Sequence, residues 1–124
     1  MIYGDTTAKR VVLLESPMSM FRHIHQIPIV CTLGSNITEY QFRHLERFEE
    51  IIVCNENDKA GWKMNRLVSK RLERKSRISI WQNPFTKKWD AADLDDETFM
   101  DLVDDAVPAS IWDPNKRLIE YKPK

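Results

Sequence analysis

The sequence predicts an α/β fold built on an open, mostly parallel four-stranded sheet flanked by helices, and three observations lead there. Four short apolar runs recur along the chain: RVVLLE at 10 to 15, IPIVCTL at 27 to 33, EIIVCN at 50 to 55 and RISIWQ at 77 to 82. Each is largely continuous in its apolar residues instead of alternating with polar ones, the pattern of a strand covered on both faces. Stretches of helical length and spacing separate the runs, so strand and helix alternate as they do when right-handed crossovers build a parallel sheet.

The first run leads through Ser16 and Pro17 into a predicted helix over 17 to 26. After the second come Gly34 and a helix over 38 to 48, which Thr38 caps and along which Phe42, Leu45 and Phe48 recur at helical spacing. The third enters an Asn-Glu-Asn-Asp cluster and then, through Ala60 and Gly61, a helix over 59 to 75 with an apolar stripe of Met64, Leu67, Val68 and Leu72. Beyond Gln82 the chain is polar and turn-rich, until TFMDLVDDAV reads as a short acidic amphipathic helix with Phe99, Leu102 and Val103 inward. The closing RLIEYKPK is a candidate edge strand in a region broken by Pro108, Pro114 and Pro123. The expected organisation is one domain over 1–124, with a core of about 10–82 and a short C-terminal α/β extension over 83–124.

Nineteen basic and nineteen acidic side chains cancel, which gives no reason to expect wholesale capture by nucleic acid or membrane. The charges are nonetheless segregated. Between Lys59 and Lys88 lie ten Lys or Arg and one acid, Glu73, whereas Asp90 to Asp113 holds nine acids and no base. Cys31 and Cys54 each sit inside an apolar run without C-x-x-C spacing, so they read as buried free thiols. No apolar run approaches the ~18 to 20 residues of a membrane span and no signal-peptide pattern opens the chain, so a cytoplasmic location and no membrane partner are expected.

In an open parallel sheet, ligands collect outside the carboxyl ends of the strands. Glu15 ends the first run, Gly34 follows the second, and Glu56 and Asp58 follow the third. Were the first and third strands neighbours, about 5 Å apart, Glu15 and Asp58 would reach one ion. Three carboxylates at one sheet edge make a hard oxygen site suited to Mg²⁺ or Mn²⁺. Taken singly, Glu15 also reads as a helix-end charge, and Glu56 and Asp58 as turn or helix N-terminal acids.

The series VVLLESP, CTLGSNIT and VCNENDKAG resembles the Toprim domain shared by primases, topoisomerases, OLD-type nucleases and recombination mediators, over about residues 10 to 75. The resemblance implies a Rossmann-like Toprim fold. A glutamate ends the first strand of that family, a Gly-containing turn the second, and a D-x-D-x-A-G segment the third; Glu15, Gly34 and ENDKAG take those places. Glu56 stands where the first aspartate of the segment is found, and Ser16 and Ser19 stand at two further positions of the pattern. KKWDAADL resembles the Lys-Asp segment of the primase and primase-helicase branch, with Asp90 matching its acid. By that resemblance Glu15, Glu56 and Asp58 are catalytic and hold Mg²⁺ or Mn²⁺ together with Asp90.

Lys59, Lys63, Arg66, Lys70 and Arg74 recur on one face of the helix after the acidic turn, which suits either a nucleic-acid backbone or a solvated outer face. Lys59, Lys63, Arg66, Lys70 and Lys88 are the candidate nucleic-acid or nucleotide contacts. Trp81, Phe85 and Trp89 interleave with Lys87 and Lys88, as base-stacking platforms do, or pack under the last helix. His23 and His25 read as surface histidines.

The resemblance implies a primase-type replication protein of a phage or mobile element, performing metal-dependent nucleotidyl transfer with DNA or RNA and nucleoside triphosphates. Only nine residues precede the first predicted strand, so another replication protein or a missing primase subdomain is an expected partner. The alternatives are a small Toprim nuclease using the same acids, and a non-catalytic module binding protein or nucleic acid.

Overall fold

The structure, a computed structural model, describes residues 3–4, 9–15, 17–32, 37–55, 59–82 and 91–112. In chain order its elements are β1 (Tyr3–Gly4), β2 (Arg10–Leu14), α1 (Pro17–His23), β3 (Ile29–Cys31), α2 (Glu39–Leu45), β4 (Glu50–Val53), α3 (Lys59–Leu72) and β5 (Arg77–Ile80). A 3₁₀ turn (Ala91–Asp93), α4 (Asp96–Asp104), β6 (Val107–Pro108) and a second 3₁₀ turn (Ala109–Ile111) follow. The strands form one sheet in the order β1-β3-β2-β4-β5-β6. The four expected strands β3, β2, β4 and β5 are all parallel, and two short antiparallel strands, β1 and β6, lie at the edges. The expected edge strand in RLIEYKPK lies outside the described residues.

Alternate residues of each strand feed two separate cores, because successive side chains point to opposite faces. Val12, Leu14, Ile29, Cys31, Ile52 and Cys54 face one side, where Met20 of α1 and Phe99 and Val103 of α4 cover them. Val11, Leu13, Val30, Ile51, Val53 and Ile80 face the other, under Phe42 and Leu45 of α2 and Val68 and Leu72 of α3. Burial on both faces explains why these strands read as continuous apolar runs. Both cysteines are free and buried, and burial raises the Cys54 thiol well above its ordinary pKa, so it stays protonated and unreactive.

Local sequence signals set the helix boundaries. Thr38 and Gln41 form a reciprocal capping box: the Gln41 backbone N–H donates to Thr38 Oγ1 at 3.1 Å, and the Thr38 backbone N–H donates to Gln41 Oε1 at 3.0 Å. The Gln41 carboxamide also donates to the Thr32 carbonyl at 3.1 Å, tying the start of α2 to the end of β3. Thr38→Ala is expected to cost about 1 kcal/mol in urea unfolding, the ordinary worth of an N-cap. At the N-terminal sheet edge, Glu50 pairs with Arg10 at 3.3 Å and Arg77 at 3.0 Å, each directly across a parallel register.

Two helices orient differently from the sequence expectation. His23 does not lie on the surface: it is 0% exposed, whereas His25 is exposed. The buried face of α1 is Ser19, Met20 and His23, and Met18 and Phe21 point out at 72% and 68% exposure. His23 stacks on Phe99 with centroids 3.9 Å apart, and its Nε2 lies 2.5 Å from the Ala91 carbonyl. A carbonyl only accepts, so Nε2 carries a proton and donates to it. Its Nδ1 is 3.1 Å from Gln26 Oε1. On α3, Leu67 is exposed, and the inward face is Gly61, Asn65, Val68 and Leu72.

Burial holds the His23 imidazole below its ordinary pKa, against the raising influence of its Ala91 and Gln26 hydrogen bonds. The unfolded chain then binds more protons than the fold below pH ~6.5. The His23 contribution is therefore complete above that pH and is lost as pH falls through the folded-state value. Urea unfolding between pH 7.5 and 5.5 should show stability falling by up to ~1.4 kcal/mol per unit, the limit for one proton. His23→Gln should be less stable at pH 7.5 and flatter across the same interval; an unchanged slope would remove His23 as the titrating group.

Candidate functional site

The site is built from where the central strands stop. β2 and β4 are neighbours with Leu13 opposite Val53, and hydrogen bonds carry the pairing past the strand ends: Cys54 N–H donates to the Leu13 carbonyl at 3.1 Å and Thr32 N–H to the Leu14 carbonyl at 3.2 Å. The chain leaves β2 into α1 on one face of the sheet and leaves β4 into α3 on the other. The crevice between β2 and β4 is therefore a topological switch point, where open α/β sheets bind ligands.

Glu15 stands at this crevice, one residue past β2 and exposed. Its backbone is held from the side, since the Cys31 thiol donates to the Glu15 carbonyl at 3.1 Å. Across the crevice, Asn55 follows β4 and donates from Nδ2 to Asn65 Oδ1 at 2.8 Å. Asn65 is buried on the inward face of α3, so this bond joins the end of β4 to the helix that follows it. Gly61 is buried on the same face one turn earlier, where the absence of a Cβ lets the first turns of α3 lie close to the sheet. The sequence reading missed the two asparagines. A polar Asn65 at the spacing of Gly61, Val68 and Leu72 was the available signal.

Glu56, Asp58, Asp90 and Lys88 lie outside the described residues, as do Gly34, Phe85 and Trp89. Among the described residues, no group of three or more His, Cys, Asp or Glu is placed to hold a metal ion.

The candidate cations on α3 divide into distinct settings. Lys59 and Lys63 are exposed in its first turns, beside the crevice, and Arg66 and Lys70 are exposed further along. The Arg66 guanidinium lies 5.6 Å over the Trp112 ring. Neighbouring Arg71 is structural: it pairs with Glu39 of α2 and lies over Phe42, and this hydrogen bond lowers the Glu39 pKa. On the other face, Asp96 at the start of α4 pairs with Arg22 at 2.5 Å and His25 at 3.3 Å, and the Arg22 hydrogen bond leads in lowering its pKa. Part of the acidic C-terminal charge thus serves to dock α4 on α1. Trp81 packs edge-on against Phe99 in the core, as one of the two readings of the aromatics expected.

The sequence model of a family described as Toprim-like matches residues 12–96. The chain belongs to that family. No curated protein matches it. The Toprim-like match begins in β2 and ends at the first residue of α4, so it takes in the four parallel strands, Glu15, residues 56–58, Asp90 and the basic helix. Toprim domains in general bind Mg²⁺ through acidic residues, in the service of nucleic-acid chemistry. The donor chemistry of this chain fits such an ion: Glu15 offers an exposed carboxylate at the switch point, and the sequence after the adjacent strand carries two more, Glu56 and Asp58. Among the described residues, no helix is long and apolar enough to cross a membrane.

Proposed function

We propose that this Toprim-like domain is the catalytic core of a primase-type replication protein that joins nucleotides on a single-stranded template. The observation that supports the reading is the adjacency of β2 and β4, which sets Glu15, one residue past β2, beside the strand whose sequence continues to Glu56 and Asp58. Glu15, Glu56 and Asp58 would hold Mg²⁺ or Mn²⁺ there, with Asp90 assisting. When bound, the ion supplies positive charge that stabilises the phosphoryl oxygens during displacement. In the reaction, a 3′-hydroxyl oxygen bonds to the α-phosphorus of a nucleoside triphosphate, the bond to pyrophosphate breaks, and the hydroxyl proton passes to water.

The chain's own residues would orient this exchange. Lys59 and Lys63 lie on the helix that opens beside the crevice and would draw the triphosphate to it. The Asn55–Asn65 hydrogen bond ties the end of β4 to α3. Lys88 would contact nucleic acid from the segment after β5. The whole of 1–124 acts as one domain in this reading, in a host cytoplasm, as part of a phage or mobile-element system and with a partner that supplies template-binding surface.

A denaturing gel of end-labelled single-stranded DNA and RNA, incubated with Mg²⁺ or Mn²⁺ and all four ribonucleotides, tests the proposal. Longer or new products that disappear in Asp58→Ala support it. Metal-dependent shortening lost in the same variant would replace it with a Toprim nuclease. No product with either metal and with replication partners present would leave a binding module as the function.

A further inference from the structure

A groove of about 240 Å³ lies between α3 and the segment that follows β6. One wall is made by Asn65, Arg66, Ser69 and Lys70 of α3 and by Glu73 just past its end. Ala109 and Trp112 make the opposite wall, and Ile80 of β5 contributes to the apolar lining. Arg66 and Lys70 are one turn apart, ~6 Å along the helix axis, and Ser69 and Glu73 continue an adjacent row. The groove therefore presents two cations, a hydroxyl, an aromatic ring and, at its far end, one carboxylate.

Its polarity distinguishes it from a solvated helix face. Among the described residues, no ion pair engages Arg66 or Lys70, whereas Arg71 beside them is neutralised by Glu39. Arg66 is held over Trp112, which limits the freedom its guanidinium must give up on meeting an anion. Trp112 is half-buried, and its other edge is supported by the core under α3. A ligand satisfying all the walls is anionic at one end, planar and aromatic in the middle, and rich in hydrogen-bond donors where it meets Glu73. A nucleotide has that order, with its phosphate at one end, the base ring further in and the exocyclic amino group of the base beyond the ring.

We propose that this groove binds one nucleotide unit, with its phosphate on Arg66 and Lys70 and its base against Trp112. The site is separate from the carboxylates at the switch point and needs no metal. It rests on the proposed function only for the direction of that function toward nucleic acid. The unit is either a free nucleotide or one residue of a single strand, and the chemistry recognised is the same.

The test is a titration of the ¹⁵N-labelled protein in EDTA with AMP and, separately, with a twelve-residue oligodeoxyadenylate, following the Trp112 indole N–H. Loss of its resonance in Trp112→Phe assigns it. The Trp112 signal should shift saturably, and Arg66→Gln with Lys70→Gln should weaken binding at least tenfold. That double variant should also reduce the salt slope for the oligonucleotide by about 0.7, the value for one phosphate contact on a single strand. Shifts with AMP would identify a free-nucleotide site, and shifts with the oligonucleotide alone a strand-tracking site. An unmoved Trp112 resonance with both ligands at millimolar concentration, or binding indifferent to the double variant, would overturn the proposal. Glu15→Gln should bind AMP or oligonucleotide within twofold of the parent in EDTA, so a failure here and a failure of the metal site are read separately.

Discussion

Glu15→Gln is expected to lose metal-dependent activity by at least ~100-fold while the fold is untouched. Groups that merely orient a metal ligand are worth ~10- to 100-fold in affinity or activity, so neutralising a ligand itself should cost no less than the upper end of that range. The carboxylate is exposed one residue past β2, and its place is set by the backbone and by the Cys31 thiol, neither of which the substitution alters. Urea unfolding in EDTA should therefore agree with the parent protein within about 0.5 kcal/mol, as for other exposed substitutions. Calorimetric titration with Mn²⁺ and the product gel should fall together. Activity retained at parental levels would overturn the proposed role of Glu15 in holding the ion.

Phe99→Ala is expected to produce the largest loss of stability, about 3–5 kcal/mol by chemical denaturation. The ring is 0% exposed, stacks flat on His23 and meets Trp81 edge-on with centroids 5.8 Å apart. It belongs to the same core as Val12, Ile29 and Ile52 of the central strands, so removing it opens a void beneath the sheet and under α4. It also strips the packing partner from an imidazole whose hydrogen bond to Ala91 fixes the 3₁₀ turn before α4. Since a domain of this size is held by roughly 5–15 kcal/mol in all, the variant should stand near the margin of folding. Phe99→Leu, which keeps most of the volume, should recover more than half of the loss. A loss below 1 kcal/mol for Phe99→Ala would mean that α4 contributes little to the fold.

The parallel sheet was legible because burial on both faces removes the need for alternation, leaving runs such as RVVLL and EIIV that no amphipathic helix would carry. The capping residue Thr38 was legible because its chemistry is local. What escaped depended on partners distant in the chain. β1 and β6 are two residues each, too short to show any period. His23 is inward because Ala91, 68 positions later, accepts its proton, and no local pattern reports that. Asn65 likewise occupies an apolar position because Asn55 meets it across the turn. At the candidate site the residue types were readable, but the adjacency of β2 and β4 was only a condition on them, and the two strands do lie side by side. Trp112 was not, since an isolated aromatic in a proline-flanked segment gains meaning only when α3 is found opposite.

The two edge strands have a bearing on how this protein meets others. Among the described residues, the sheet ends on each side in a strand of two residues, and on the β6 side Pro108 stands opposite Ser79. Proline offers no amide proton, and so short a strand offers almost no template on which a foreign chain can lay its own backbone. Lateral growth of the sheet, the usual start of fibril formation and of strand exchange between copies, is therefore discouraged by the backbone itself. Association has to run through side chains on the helices and at the crevice, where charge and shape can discriminate one partner from another.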